Sequence, residues 1–395
     1  MVSLCGINTR STPFDLTSEE LARIERYRRL WLYYAAEDGN PYAPTSGAPP
    51  LSDFSGLPDY VADVFNCVPF VVNADLDLSL SGFTLDSIIP ENDKSAVALR
   101  EFASTLEVES VLRSALLSAL VCGDAYIKVF PGPASPIGVR ASVLDPASVF
   151  PRLNPHDGDS VENLLIKYSY EAPDGASHDY AELWTPTTVE VRNDNKPVTA
   201  SSGSHPFGRI PIVHLSIFRL PGSYFGRPCF ADIIADVDRL NTAAGAVFEI
   251  FKYYGAPKLI LKGIMAPDAK LDPDLRQFWQ IPDPAADIFF LEWKNTSNLV
   301  TDLLRLDSIV RRKMPEFVLD TVQERSIPAS GYAVSLQLSL LQARINTLCS
   351  GLNRPLRDML TLAASLSGRE LPLFKTEIRS ALRPAEEPLP PSEAK

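Results

Sequence analysis

The sequence predicts an α+β fold, and three observations carry that reading. Helical periodicity dominates both ends of the chain, a middle section from about residue 124 to 220 switches to period two, and the two patterns are segregated. Strict alternation would point to a doubly wound parallel sheet, whereas segregation points to helices packed on an antiparallel one. At 395 residues the chain has room for two or three domains, and 45% hydrophobic residues suffice to fill more than one core. The 34 prolines gather between periodic segments, which implies fixed turns and long connections.

In chain order, Thr17 and Glu20 have the spacing of a capping box. Leu21, Ile24, Tyr27, Trp31 and Tyr34 then line one helix face, with Arg23, Arg26, Arg28 and Arg29 forming a basic, solvated side. The connection from Asn40 to Pro58, rich in Pro, Gly and Ser, is too polar and turn-rich for a core element. A short helix is expected over Tyr60 to Phe70 and a short strand over Phe70 to Val72. Two helices follow, Glu91 to Leu106 and Val108 to Val121; Gly123 stops the second, and the alternation after it suits a strand. Period-two runs continue at Ala141–Val149, Leu164–Tyr170, Tyr180–Trp184, Thr188–Arg192 and Ile212–Phe218, with Asp174 and Gly175 as a hairpin turn.

Gly226 to Pro257 reads as one long helix entered at Pro228 and stopped by Gly255 and Pro257. Its seam of Ile233, Val237, Leu240, Ala244, Val247, Phe251 and Tyr254 steps by fours and threes, the spacing of a helix that packs on another helix. Lys258–Lys262 and Asp287–Trp293 are short strands around a turn-rich insert. Thr296 or Ser297 then caps a second helix with Leu299, Leu303, Leu306 and Val310 as its seam and Asp307 four residues before Arg311. Together these form an antiparallel helix pair carrying a small module at its far end. Pro315 breaks the second helix, and a third seam runs through Val334, Leu338, Leu341, Ile345, Leu348 and Leu352 to Leu366, with a kink expected near Gly351 and Pro355. The Pro- and Glu-rich end, LRPAEEPLPPSEAK, has no means of forming a core.

Composition narrows function by exclusion. A net charge of −12 and a pI near 4.9 argue against tight phosphate binding over the whole surface, which needs clustered Lys and Arg. Five scattered cysteines without CxxC spacing argue against a disulfide framework and a zinc site, and fit a reducing compartment. No apolar run approaches a membrane span and no signal pattern opens the chain, so a soluble protein with no membrane partner is expected. P-loop, HExxH, GxSxG and GxGxxG motifs are absent. His156, Asp157 and Asp159 in NPHDGDS could imitate a metal loop, but Asn, Pro, Asp and Gly in sequence are more simply a turn, and neither metal nor cofactor is expected. His178 and His214 read as packed or surface histidines, and Asp272 and Asp274 as a solvated loop. Arg311, Arg312 and Lys313 close the second helix of the pair, where they complement its dipole or make weak, sliding phosphate contacts. Arg325, Arg344, Arg354 and Arg357 carry the same two readings.

The order of parts resembles the portal proteins of tailed bacteriophages. The resemblance rests on collinear stretches over about residues 17 to 365: LWLYYAAEDGNP, CGDAYIKVF, LDPASVFPRLNP, GRIPIVHL, FGRPCFADIIADVDRLNTAAGAVFEIFKYYGAP and IPASGYAV. It implies a ring, commonly a dodecamer, at one capsid vertex of the virion, assembled in the host cytoplasm, through which double-stranded DNA is packaged and ejected. It also implies docking by the terminase large subunit and then a tail adaptor, contacts with major capsid and scaffolding proteins, and no catalysis of its own.

On that likeness residues 1–225 form an α/β wing, 226–257 and 298–314 a long-helix stem, and 258–297 a small α/β clip. Residues 315–331 correspond to the tunnel loop region, 332–368 to a kinked long helix and 369–395 to a C-terminal tail, with the crown reduced or absent. DNA-facing candidates are Arg311, Arg312, Lys313, Arg325, Ser326, Ile327, Pro328, Ala329 and Ser330; clip candidates for terminase docking are Asp268, Lys270, Asp272, Asp274, Arg276 and Trp279. Twelve copies would carry 12 × −12, about −144 charges, and an acidic channel lets the duplex slide with little sticking. Two alternatives stand beside this reading: another phage head or tail connector ring, and a soluble α+β metal-dependent enzyme built on His156, Asp157 and Asp159.

Overall fold

A computed structural model describes residues 12–35, 65–90, 96–173, 175–205, 207–254, 259–262, 279–281, 288–290, 296–319 and 331–380. The chain divides into two compact units, one of residues 1–41, 67–231 and 315–395 and the other of 42–66 and 232–314. Helices and antiparallel strands are segregated, as an α+β fold requires.

In the first unit, helix α1 (Ser18–Ala35) opens on the expected capping box: the Thr17 N–H donates to Glu20 Oε2 at 2.8 Å and the Glu20 N–H to Thr17 Oγ1 at 3.2 Å. Its buried face overlaps the expected one at Tyr27 and Ile24 but is turned relative to it. Tyr27, Leu30 and Tyr33 are buried while Leu21 is 54% exposed, so the stripe lies a fraction of a turn around from the predicted one. The strand expected at Phe70–Val72 is instead part of α2 (Val68–Leu80), whose buried residues Val68, Val71, Val72, Asp75, Leu76 and Ser79 follow helical spacing. Pro69, harmless in a first turn, and the adjacent valines hide that period.

After the short strand β1 (Ile88–Pro90) come α3 (Ala96–Thr105) and α4 (Val108–Cys122). Gly123 ends α4 in the left-handed region, its N–H bonded to Ala119 O, and β2 (Asp124–Pro131) follows directly. β2 is the centre of a three-stranded antiparallel sheet, with β3 (Val139–Leu144) on one side and β10 (Ile212–Ser216) on the other. Between β3 and β10 the chain builds a second antiparallel sheet in the order β4 (Val149–Leu153), β5 (Val161–Glu171), β6 (Ser177–Trp184), β7 (Thr188–Asn193) and β8 (Lys196–Pro197), with β9 (Gly203–Ser204) also on β7.

Strand alternation explains the layering. Ala125, Ile127 and Val129 are fully buried on one face of β2, while Tyr126 on the other joins a cluster with Val149, Leu164 and Ile166 of the larger sheet. The helices that contact the small sheet, α4 and α7 (Gly331–Ser367), therefore lie on the first face, and the larger sheet lies on the second. Helix α7 runs unbroken through Gly351 and Pro355, with Leu341, Ile345, Leu348 and Leu352 buried as the seam predicts. Beyond it, β14 (Phe374–Thr376) pairs with β1, and Ile378 is buried, so part of the segment expected to be a plain tail belongs to the core.

The second unit contains α5 (Ile234–Tyr254) and α6 (Thr296–Lys313), which pack on each other. Between them in sequence lies a small sheet in which β11 (Leu259–Lys262) pairs parallel with β12 (Trp279–Ile281) and antiparallel with β13 (Ile288–Phe290). Ile233, Val237, Leu240 and Val247 of the predicted seam are buried, as is Val310 on α6. Helix α5 starts at Ile234 rather than Pro228 because the backbone of Cys229 is bonded elsewhere: its N–H donates to Leu120 O at 2.9 Å, and its carbonyl accepts from Arg344 Nη2 at 2.9 Å. Asn241, fully buried on α5, accepts from the Phe65 N–H and donates to the Phe65 carbonyl, fixing the segment ahead of Cys67.

Candidate functional site

Three adjacent cations at the end of α6 are the sequence's candidates for contact with phosphate, and the structure gives them three different surroundings. Lys313 Nζ bonds the Asp236 carboxylate and, at 3.3 Å, the Asp232 carbonyl, so it ties the end of α6 to the start of α5. Arg311 Nε bonds Asp307 Oδ2 at 2.9 Å, the i,i+4 pair expected from the spacing. Arg312 is exposed and has no ion-pair partner among the described residues. Arg305, one heptad earlier and so on about the same face of α6, is exposed too. Val300 (41% exposed) and Leu304 (65%) leave an apolar strip on the same helix in a single chain.

Arg325, Ser326, Ile327, Pro328, Ala329 and Ser330 lie outside the described residues, as do Asp268, Lys270, Asp272, Asp274 and Arg276; Trp279 is described only by its backbone, in β12. Arg344 does not face solvent. Its guanidinium reaches the fully buried Asp75 of α2 at 2.9 Å and the fully buried Glu316 at 2.7 Å, donates to the Cys229 carbonyl, and stacks under the Phe218 ring. Burial disfavours its charge, but Asp75 and then Glu316 outweigh that and push its pKa up, so it is a permanent cation engaged within the protein. The phosphate reading therefore does not extend to Arg344. Arg354 and Arg357 remain exposed on α7, Arg354 lying 3.7 Å from Asp358.

This cluster sits where the chain changes unit. Cys229 precedes the crossing at Ala231, and Glu316 follows the return at Pro315, so one arginine of α7 holds both ends within the first unit. The sequence holds one signal for it, a carboxylate among the valines and leucines of α2, and reading a strand there obscures that signal.

A second buried carboxylate, Asp124, fixes the helix-to-strand junction. It accepts from Tyr27 Oη (2.8 Å), His214 Nε2 (2.8 Å) and the Gly226 N–H (2.9 Å). His214 is stacked between the rings of Tyr126 and Tyr224, at 4.8 and 4.5 Å between centroids. Gly123 and Gly226 pass so closely that a Cβ on Gly226 would lie 2.1 Å from the Gly123 carbonyl oxygen, which only glycine permits. Glu182 joins the two sheets: it accepts from Lys128 Nζ at 2.6 Å, Trp184 Nε1 at 2.6 Å and Tyr180 Oη at 2.7 Å. Burial alone would raise its pKa, but the Lys128 ammonium and these donors hold the carboxyl below the usual range.

The NPHDGDS loop is a turn. Asp157 caps the N–H groups of Asp159 and Ser160, Asn154 caps that of His156, and Asp159 pairs with Arg219. Among the described residues no cluster of His, Cys, Asp and Glu is placed to hold a metal ion. None of their helices is long and apolar enough to cross a membrane.

A family model described as "Phage portal protein, SPP1 Gp6-like" matches residues 87–379. No curated protein matches the chain significantly. A solved chain from the "Virion of native gene transfer agent (GTA) particle" is similar over 86% of this chain and 87% of that chain, at 12% identity and a TM-score of 0.38.

Proposed function

Because this chain belongs to the SPP1 Gp6-like phage portal protein family, we propose that copies of it form a ring-shaped channel at one capsid vertex for packaging and ejecting double-stranded DNA. The observation that carries this beyond family membership is the second unit: a helix pair, α5 and α6, with a small sheet between them in sequence. In the ring these helices are the stem, and the β11–β13 module is the clip that docks the terminase large subunit and then the tail adaptor. Residues 315–331, the tunnel loop region of the resemblance, are the segment that approaches the duplex. The α/β unit is the wing, facing capsid and scaffolding proteins. ATP hydrolysis belongs to the motor partner.

Physical chemistry supports the arrangement. Val300 and Leu304 on α6, and Leu336 and Leu340 on α7, are apolar side chains exposed in a single chain, and neighbouring copies would cover them. A chain of net charge −12 repels phosphate broadly while exposed cations such as Arg312 guide it locally, so DNA can move. Arg312 is the basic ring we assign to the DNA path, since Arg311 and Lys313 are paired within the unit.

Native mass spectrometry and electron microscopy of the purified protein test the ring directly; monomers and dimers alone, over a range of salt and concentration, would refute it. Shortening the chain between Pro315 and Gly331 should leave rings intact and impair packaging or DNA retention. Unchanged packaging would remove that segment from the DNA path.

A further inference from the structure

Glu316 is the one buried carboxylate described in the first unit whose surroundings do not suit an ion. The titratable and charged groups that face it are Asp75 from α2, Arg344 from α7 and the Cys229 thiol. Two carboxylates and one guanidinium leave this pocket with an unbalanced negative charge if both acids are ionised. Asp75 takes the well-directed bonds, from Arg344 Nε and Nη2 at 3.1 and 2.9 Å. Glu316 Oε1 touches Arg344 Nε, yet neither oxygen of Glu316 completes a directed hydrogen bond. An ionised Glu316 has no proton to offer; a protonated one becomes a donor to Asp75 and removes the excess charge together.

We propose that Glu316 carries a proton that it donates to Asp75 against Arg344, and that this proton keeps the single-turn helix Pro315–Phe317 seated on α2 and α7, positioning the chain that follows it. The bearing on DNA rests on the channel reading above; the proton on Glu316 does not.

Burial first, and then the charge of Asp75, push the Glu316 carboxyl up to about 8, with Arg344 opposing. The folded protein therefore binds a proton that the unfolded chain releases above its ordinary carboxylate pKa of 4.5. Stability from this group is complete at acid pH, falls as pH rises through that interval, and levels off once Glu316 ionises in the folded state as well.

The test compares unfolding equilibria of the full chain with those of Glu316→Gln and Asp75→Asn across this pH range. A glutamine amide in place of the Glu316 carboxyl can still donate to Asp75, so Glu316→Gln should fold. Relative to it, the wild type should lose up to about tenfold in folding equilibrium per pH unit between 4.5 and 8. Asp75→Asn should flatten the profile likewise. Amide exchange at 316–319, corrected for its intrinsic pH dependence, should speed up above pH 8 in the wild type and not in Glu316→Gln. Parallel profiles for wild type and Glu316→Gln, or a variant weaker by the same factor at every pH, would overturn the proton on Glu316.

Should a variant fail to fold, infrared difference spectra of the wild type decide: the band of a buried protonated carboxyl must be present well below pH 8 and lost well above it. In packaging assays, Glu316→Gln should keep its rate at alkaline pH where the wild type slows. If the proton readouts hold while packaging ignores pH, the proton on Glu316 stands and its role in positioning the chain that follows is overturned.

Discussion

Replacing Asp124 by alanine should cost the first unit about 4 kcal/mol or more, because three donors lose their one shared acceptor. Asp124 is fully buried, with Oδ1 taking His214 Nε2 and the Gly226 N–H while Oδ2 takes Tyr27 Oη. Hydrogen bonds to a charged group contribute about 1.5–3 kcal/mol each, the three are not additive, and the substitution strands the donors in a buried site. About 4 kcal/mol is roughly a thousandfold in the unfolding equilibrium constant. Asp124→Asn separates the parts. With its amide oxygen in the Oδ1 place it keeps His214 and Gly226 and sets an NH₂ against the Tyr27 hydroxyl, which burial and Asp124 hold protonated by raising its pKa. Tyr27→Phe should therefore destabilise the wild type by about 1.5 kcal/mol or more and be close to neutral in the Asp124→Asn background. Urea unfolding followed by circular dichroism gives all four corners of this cycle. A loss below about 1 kcal/mol for Asp124→Ala, or equal effects of Tyr27→Phe in both backgrounds, would refute the hub.

Glu182→Ala, which strands Lys128 between the sheets, should cost about 3 kcal/mol at neutral pH. Because the folded carboxyl lies below its ordinary pKa, its contribution is present above the unfolded value and lost as pH falls through the folded one, so the variant should show a shallower acid limb in a stability–pH profile. Arg312→Ala should change the salt dependence of DNA retention by assembled rings without altering unfolding midpoints, whereas Lys313→Ala, which leaves Asp236 only the more distant Arg239, should lower the midpoint of the helix-pair unit. Thr17→Ala removes an N-cap and should cost about 1 kcal/mol, read as a small drop in the thermal midpoint.

Much of the architecture is legible in the sequence because it is written in local period. The α4 stop at Gly123, strands β2, β5, β6, β7 and β10 and much of the seams of α5 and α7 need only the spacing of apolar residues and the special backbone of glycine, whereas the single run expected over Ala141–Val149 is split by a turn at Asp145–Ser148 into the end of β3 and the start of β4. Errors arise where a distant partner outvotes the local pattern. Pro228 looks like a first helical turn, yet Cys229 commits its backbone to Leu120 and Arg344, more than a hundred residues away on either side, so α5 starts at Ile234. Val71 and Val72 look like a strand until Asp75 and Ser79 are counted with them as buried. Phe374–Thr376 has no periodicity of its own and becomes a strand only because β1 offers an edge.

Charge is the least legible property, and Arg311, Arg312, Lys313 and Arg344 show why. As letters they are equivalent cations on helices of an acidic protein. Their roles depend on whether a carboxylate lies within reach: Asp307 for Arg311, Asp236 for Lys313, Asp75 and Glu316 for Arg344, and among the described residues none for Arg312. A basic residue held in a pair contributes little field beyond a Debye length, whereas an unpaired one on a negative surface is a local minimum for phosphate. In the ring proposed above, the number of free cations, rather than the number of basic residues, would therefore set how strongly DNA is held.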